Sequence, residues 1–146
     1  MSYKWLQHRR KSYDYNSKIY LAEVILNVKD LAGQTETAFY TQIVGLGILT
    51  KTEREVVLGA VNKPLVHLIQ TNREEAVKSS YGIYHMAILL PSCEDLADVF
   101  KHIADLDYPF VGAADHGYSE ALYLEDLEGN GIELYRDKPV AEWDIR

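Results

Sequence analysis

Four side chains of metal-binding type stand at places that an internal repeat makes equivalent: Glu23, His67, His85 and Glu133. Glu23 and His85 fall in the first β-type stretch of each half of the chain, and His67 and Glu133 fall in the last. Side chains alternate faces along a strand, so all four can point into one cleft while Val24, Met86, Leu68 and Leu134 point away. Carboxylates and imidazoles together suit a divalent metal such as Fe(II), Mn, Ni or Zn. The same residues also have quieter readings. A strand histidine such as His85 is often a hydrogen-bonded core residue, and Glu23 and His67 can be partners in a buried polar network. Glu133, between Ile132 and Leu134, is harder to set aside, because an ionised carboxylate on an inner sheet face is costly unless paired or metal-bound.

The elements that must position them are legible from apolar spacing. Residues 20–28 read as a strand rich in Val, Ile and Leu. Asp30 caps a helix with Leu31, Ala38, Phe39 and Ile43 on one face, ended by Gly45-Leu46-Gly47. The stretches 47–52, 55–60 and 65–70 follow as strands, with Asn62-Lys63-Pro64 as a turn. After a polar connector at 71–80, a strand over 83–90 leads through Pro91-Ser92 into a second helix bearing Leu96, Val99, Phe100 and Ile103. Strands over 110–113, 121–125 and 131–136 complete the half, the last two joined by a tight turn from Asp126 to Gly131. Strand, helix and three strands thus occur twice. A shift of 62 places lays Glu23 on His85 and Val28 on Leu90, and a shift of 66 lays Leu65-Val66-His67-Leu68 on Gly131-Ile132-Glu133-Leu134. The expected architecture is α+β, with two βαβββ units forming a curved mixed sheet around a cleft. Residues 1–18 read as a tail or arm, 19–139 as the domain (first unit 19–71, second unit 82–137), and 140–146 as a C-terminal tail.

Bulk composition narrows the partners. A net charge of −7 argues against nucleic acid or an anionic membrane, and the basic run His8-Arg9-Arg10-Lys11 belongs to the tail. The single cysteine, Cys93, excludes an internal disulfide and suits a reducing cytoplasm. No apolar run reaches the roughly 18 residues of a membrane span, and the start Met1-Ser2-Tyr3-Lys4-Trp5 lacks a signal-peptide core.

The run from Glu23 to Leu31, followed by Phe39-Tyr40 and Gly45-Leu46, resembles the opening of a module of the glyoxalase / bleomycin-resistance / extradiol-dioxygenase (vicinal oxygen chelate) superfamily. Tyr84-His85-Met86-Ala87-Ile88 looks like its middle strand, and Asp126 through Leu134 like its closing hairpin; the resemblance covers roughly residues 19–139. In glyoxalase I the metal ligands come from the four strand positions that here carry Glu23, His67, His85 and Glu133, and the site is assembled across a dimer. The resemblance therefore implies a bound divalent metal, with Fe(II) favoured and Mn, Ni or Zn possible, and a homodimer or a pairing with a second module.

A more specific likeness lies near the C-terminus. His116, Tyr123, Asp126, Gly129 and Glu133 follow the spacing of the extradiol dioxygenase signature. That signature implies Glu133 as an iron ligand, Tyr123 beside the substrate and His116 as acid/base. The chemistry agrees: ring opening needs a catechol held on Fe(II) with open positions for oxygen, and a group that moves protons near neutral pH. Leu127 stands where the signature has Pro, Ala114 where it has a Gly-like residue, and Glu23 where the iron triad has His. His67 would restore a second imidazole. The stretch from Asp115 to Leu124 is similar to the first module of bacterial two-module catechol-2,3-dioxygenase-like proteins. The implied function is extradiol ring cleavage of an aromatic diol, or a domain of such an enzyme. A glyoxalase I-like lyase or isomerase acting on a thiol adduct is the alternative enzyme. A non-catalytic module, either a scaffold half or a binder of a planar ligand through Tyr81, Tyr84, Tyr118 and Tyr123, is the alternative of a different class.

Overall fold

In the computed structural model, which describes residues 23–29, 31, 35–71 and 83–143, alternation along each strand decides which face is buried. Strand β1 (Val24–Val28) buries Leu26 and Val28 and exposes Ile25 and Asn27. Helix α1 (Thr35–Ala38) runs directly into a π-helical turn, Phe39–Ile43, in which the Val44 amide reaches back to the Phe39 carbonyl at 3.1 Å. Gly45, at φ 85°, then turns the chain out of the helix, a backbone conformation that side chains with a Cβ resist. The expected cap Asp30 lies outside the described residues, as do the tail 1–18, Tyr81 and most of the 71–80 connector.

Strands β2 (Gly47–Lys51), β3 (Glu55–Ala60) and β4 (Lys63–Gln70) form an antiparallel meander, and β4 pairs in parallel with β1. One turn falls earlier than its composition suggests. The β3–β4 reversal is made by Val61 and Asn62, both at positive φ, while Lys63 and Pro64 already belong to β4. Proline is tolerated there because β4 pairs with β1 only from Val66 onward, so Pro64 owes no amide to that neighbour.

The second half repeats the plan. Strand β5 (His85–Leu89) leads to α2 (Cys93–Asp105), whose N-cap Ser92 accepts from the Asp95 amide at 3.1 Å. Strands β6 (Gly112–Asp115), β7 (Ser119–Glu125) and β8 (Gly131–Asp137) follow, then a 3₁₀ turn at Val140–Glu142. Strand β6 sits two residues later than the apolar run 110–113 suggests, because Phe110 instead stacks on Phe100 of α2 with ring centroids 5.2 Å apart.

The strands form two four-stranded mixed sheets, in the orders β1-β4-β3-β2 and β5-β8-β7-β6, one from each of the two expected units of an α+β fold. Their registers are superimposable. The pair Val24–Val66 becomes Met86–Ile132 under shifts of 62 and 66, and Val57–His67 becomes Tyr123–Glu133 under the shift of 66. The core collects one face of each sheet: Leu26, Val28, Val56, Leu58, Val66 and Leu68 from the first, and Leu122, Leu124, Ile132 and Leu134 from the second. Full burial of each such side chain is worth about 1.5–3 kcal/mol, which fixes the strands' facing. The opposite face carries Ile25, Val57 and His67 in the first sheet and Ala87, Tyr123 and Glu133 in the second. Across the halves, the buried Tyr40 hydroxyl donates to Asp126 Oδ2 at 2.9 Å. No described helix is long and apolar enough to cross a membrane.

Candidate metal-binding and proton-relay site

Glu133 lies on β8 between the buried Ile132 and Leu134, and the two-residue alternation turns it to the face away from the core. Tyr123, its direct partner on β7, projects from the same face, and so does His85, which heads β5 opposite Gly131. Glycine is required at that place. A Cβ on residue 131 would stand 2.4 Å from the Tyr84 carbonyl oxygen and 3.0 Å from His85 Cβ, so only glycine lets β8 close against the strand that carries the imidazole.

These placements produce a continuous chain of polar contacts. His85 Nε2 lies 2.8 Å from Glu133 Oε2, Tyr123 Oη donates to Glu133 Oε1 at 3.1 Å, and His116 Nε2 lies 2.9 Å from Tyr123 Oη. With its one proton given to Glu133, the phenol can only accept from His116, so Nε2 of that imidazole carries a hydrogen in this arrangement. Burial, followed by the hydrogen bond to Glu133 and its charge, raises the Tyr123 pKa, which keeps the hydroxyl a donor at neutral pH. A cleft of about 280 Å³ opens beside the chain, with Tyr84, His85, Tyr123 and Val111 among its lining residues. Tyr84 is 89 % exposed at the rim, its ring centroid 5.0 Å from that of His85.

The other two anticipated ligands sit on the first sheet. His67 projects from β4 beside Val57 and Ile25, with Nε2 3.6 Å from Glu55 Oε2, beyond hydrogen-bonding range. That nitrogen is buried and makes no hydrogen bond. Glu23, just before β1, lines a groove of about 310 Å³ with Leu65 and the β5 residues Met86, Ala87, Ile88 and Leu89. The structure thus brings His85, Glu133, Tyr123 and His116 together and does not bring Glu23 or His67 to them. Among the described residues no three His, Cys, Asp or Glu side chains form a group able to hold an ion.

Sequence reasoning named one support of this site, Asp126, and passed over the others. Asp126 reads as a turn residue, and it is one: Oδ1 accepts from the amides of Glu128 at 3.0 Å and Asn130 at 2.7 Å, shaping the β7–β8 turn that aligns Tyr123 with Glu133. Its second oxygen holds Tyr40. Asp115 and Lys138 flank the site, and their pairing at 2.6 Å is announced by no local pattern.

Comparison with known proteins follows the same lines. The Glyoxalase/Bleomycin resistance protein/Dioxygenase superfamily profile matches residues 20–134. A catechol-2,3-dioxygenase of Bacillus subtilis (strain 168) is 38% identical over 108 residues, 72% of this chain; the match spans 38% of that protein's length. The fold is also that of the lactoylglutathione lyase of Agrobacterium tumefaciens, with a TM-score of 0.65 at 19% identity over 83% of this chain and 96% of that one. A genomically encoded fosfomycin resistance protein from Listeria monocytogenes matches with a TM-score of 0.60 at 19% identity, over 85% of this chain and 97% of its own. By profile, sequence and fold together, the chain belongs to the glyoxalase/bleomycin resistance protein/dioxygenase superfamily.

Proposed function

We propose that this chain is a metal-dependent extradiol-type dioxygenase, or the domain of one, that opens the ring of a small aromatic diol. The observation that carries the reading is the relay His116–Tyr123–Glu133–His85, two of whose members, Tyr123 and His85, line a cleft. The likeness to the Bacillus subtilis catechol-2,3-dioxygenase favours ring cleavage over a lyase reaction.

Two of the four anticipated donors stand together in a way that suits a divalent metal. His85 and Glu133 offer an imidazole nitrogen and a carboxylate oxygen 2.8 Å apart, a separation at which two donors can share one cation. His67 offers a buried nitrogen that has no hydrogen-bond partner, and such orphaned atoms call for an explanation. In this reading His85 and Glu133 are ligands and, since the chain's own Glu23 and His67 stand apart from them, Glu23 or His67 of a second copy completes the set, with Fe(II) favoured over Mn, Ni or Zn. A metal held by His85 and Glu133 would supply a Lewis-acidic point for the oxygens of the diol. The chain's own residues do the rest. Tyr123 turns its hydroxyl to a substrate oxygen, and His116, whose Nε2 carries a hydrogen and lies 2.9 Å behind the phenol, is the acid that passes a proton forward to it. The face bearing Glu23, Ile25, Ala87 and Leu89 takes a second copy or a second module, and the reducing cytoplasm that keeps Cys93 free is the setting.

The test uses untagged protein. Elemental mass spectrometry should find a divalent metal near one per chain, falling in His85→Ala and Glu133→Ala. The Fe(II)-loaded protein should give a yellow product from catechol in air. An Fe(II)-loaded protein inert on a panel of catechols, with metal content untouched by His85→Ala, overturns the reading.

A further inference from the structure

His116 is the one member of the relay that stands on a turn rather than within a strand, and its aim depends on what holds that turn. The β6–β7 hairpin reverses through His116, Gly117 and Tyr118, closed by the His116 amide on the Ser119 carbonyl at 2.9 Å. Gly117 takes φ 80°, and its amide donates to Asp115 Oδ1 at 2.8 Å. Nothing in this local pattern fixes how far the hairpin leans over Tyr123.

That lean is set from the far end of β8. Lys138 Nζ donates to both oxygens of Asp115 at 2.6 Å, and its backbone amide donates to the Tyr118 carbonyl at 2.8 Å. Its own carbonyl accepts from Trp143 Nε1 at 2.8 Å. The Trp143 ring meets Tyr118 edge-on at 6.2 Å, and Tyr118 stacks at 6.1 Å on the His116 imidazole. Although Lys138 is a lysine near the end of the strand, its side chain is only 12% exposed, with Glu120 Oε1 3.6 Å from Nζ on the other side. Glu120 is in turn fixed by Arg136 at 2.7 Å. Side chain, amide and carbonyl of one residue are therefore all spent on the hairpin or on the ring behind it.

We propose that Lys138 is a positioning residue for His116: its clamp on Asp115 and Tyr118, backed by Trp143, aims the imidazole at the Tyr123 hydroxyl. The role rests on the relay reading above and adds to it a residue that touches neither substrate nor metal. A hydrogen bond of 2.9 Å does not survive a displacement of an ångström, and misplacement of that size in an active site costs on the order of 100-fold in rate.

The experiment compares the metal-free full chain by nitrogen NMR of the histidine rings, with Tyr123→Phe as the probe of the His116–Tyr123 contact. In the natural sequence, and in Lys138→Arg, Tyr123→Phe should shift the His116 Nε2 resonance. In Lys138→Ala it should leave that resonance where it is. Asp115→Asn, which can still accept from Gly117 but loses the ion pair, should behave like Lys138→Ala and serves if the alanine variant does not fold. With Fe(II) and a catechol, Lys138→Ala should lower kcat about 10- to 100-fold with KM little changed, and Lys138→Arg should restore most of it. A folded Lys138→Ala or Asp115→Asn chain that keeps the Tyr123-dependent shift overturns the proposal, whatever the chain does to catechols. If the shift is lost but no catechol is cleaved even by the natural sequence, the ring-cleavage reading fails while the positioning role stands.

Discussion

The two halves of this chain share a register yet differ in what they do with it. Position for position, Glu23, Val57 and His67 of the first sheet correspond to His85, Tyr123 and Glu133 of the second. In the second sheet the middle strand presents a phenol that links an imidazole to a carboxylate, and the relay closes. In the first, Val57 stands at that place, nothing bridges, and His67 Nε2 is left buried without a hydrogen bond. The scaffold supplies positions; whether a site forms depends on which side chain occupies the middle strand. The junction between the halves is lopsided too. Tyr40 of the first helix reaches into the second half's turn at Asp126, whereas His102, which the shift of 62 lays on Tyr40, reaches only the Gln42 carbonyl at 2.6 Å.

The largest effect should come from removing the carboxylate at the centre of the linked side. Glu133→Ala leaves His85 and Tyr123 without their shared acceptor and removes a proposed ligand. Ring-cleavage activity should fall at least about 100-fold, with metal content falling alongside by elemental analysis. Unchanged activity and metal content would show that the second sheet is no more functional than the first.

The next effect lies at the junction. Glu36, on α1, is 1% exposed, and its two oxygens make no hydrogen bond of ordinary geometry. Burial foremost, then the charges of Asp126 and Glu128, push its carboxyl up to about 8 from 4.5, against a smaller downward pull from the backbone amides of Glu128 and Leu127. A carboxyl with a raised folded-state pKa binds its proton more tightly in the fold than out of it. Its contribution is therefore complete below about 4.5 and is lost as pH climbs to about 8. Denaturant melts should show a loss of up to about 1.4 kcal/mol per pH unit in that window, a few kcal/mol in all, and Glu36→Gln should flatten it. An equally steep profile in the glutamine variant would place the pH dependence elsewhere.

How much of this was legible beforehand follows from the range of each interaction. The strands and the two helices were, because burial imposes a period of two or of about 3.6 on neighbouring residues, and the repeat was because both halves obey the same periods. His85, Glu133, Tyr123 and His116 were named as candidates from strand position and from signature spacing. That His67 and Glu23 stand apart from His85 and Glu133 was not, because the angle between two sheets is set by side-chain packing at their join, on which no local pattern reports. The same holds for the pairing of Lys138 with Asp115: 23 residues separate them, and no local pattern reports that they meet. Glu36 was not singled out, since the groups that act on its carboxyl, Asp126, Leu127 and Glu128, belong to the second half's turn.

A smaller change sharpens the contrast between the parallel pairs. Gly131 meets the backbone at Tyr84, whereas its counterpart Leu65 carries a full side chain. Gly131→Ala drives a Cβ to 2.4 Å from a carbonyl oxygen, so β8 must shift away from His85. A loss of about 1–3 kcal/mol in denaturant melts is expected, accompanied by weaker metal binding; Leu65→Ala should cost stability without moving His85. Full stability in Gly131→Ala would mean that the two parallel joints are equally slack.

The finest test sets the two sheet histidines against each other in metal-free protein. His85 Nε2 faces Glu133 at 2.8 Å, so His85→Leu strips a partly buried carboxylate of a partner and should lower stability by about 1–3 kcal/mol. His67 Nε2 has only Glu55 Oε2 at 3.6 Å, beyond hydrogen-bonding range, and a buried polar atom without a hydrogen bond is itself a cost. His67→Leu replaces it with an apolar side chain among Val57, Ile25 and their neighbours, and should leave stability unchanged or raise it by about 1 kcal/mol. Loading with metal should then reverse the order for the first sheet alone. If His67 is the nitrogen that completes the ion's coordination, its replacement lowers metal-dependent stabilisation although the metal-free fold has gained. A His67→Leu chain that is destabilised even without metal would mean that the imidazole is already satisfied, and that the first sheet is a quiet copy of the second with no ligand to offer.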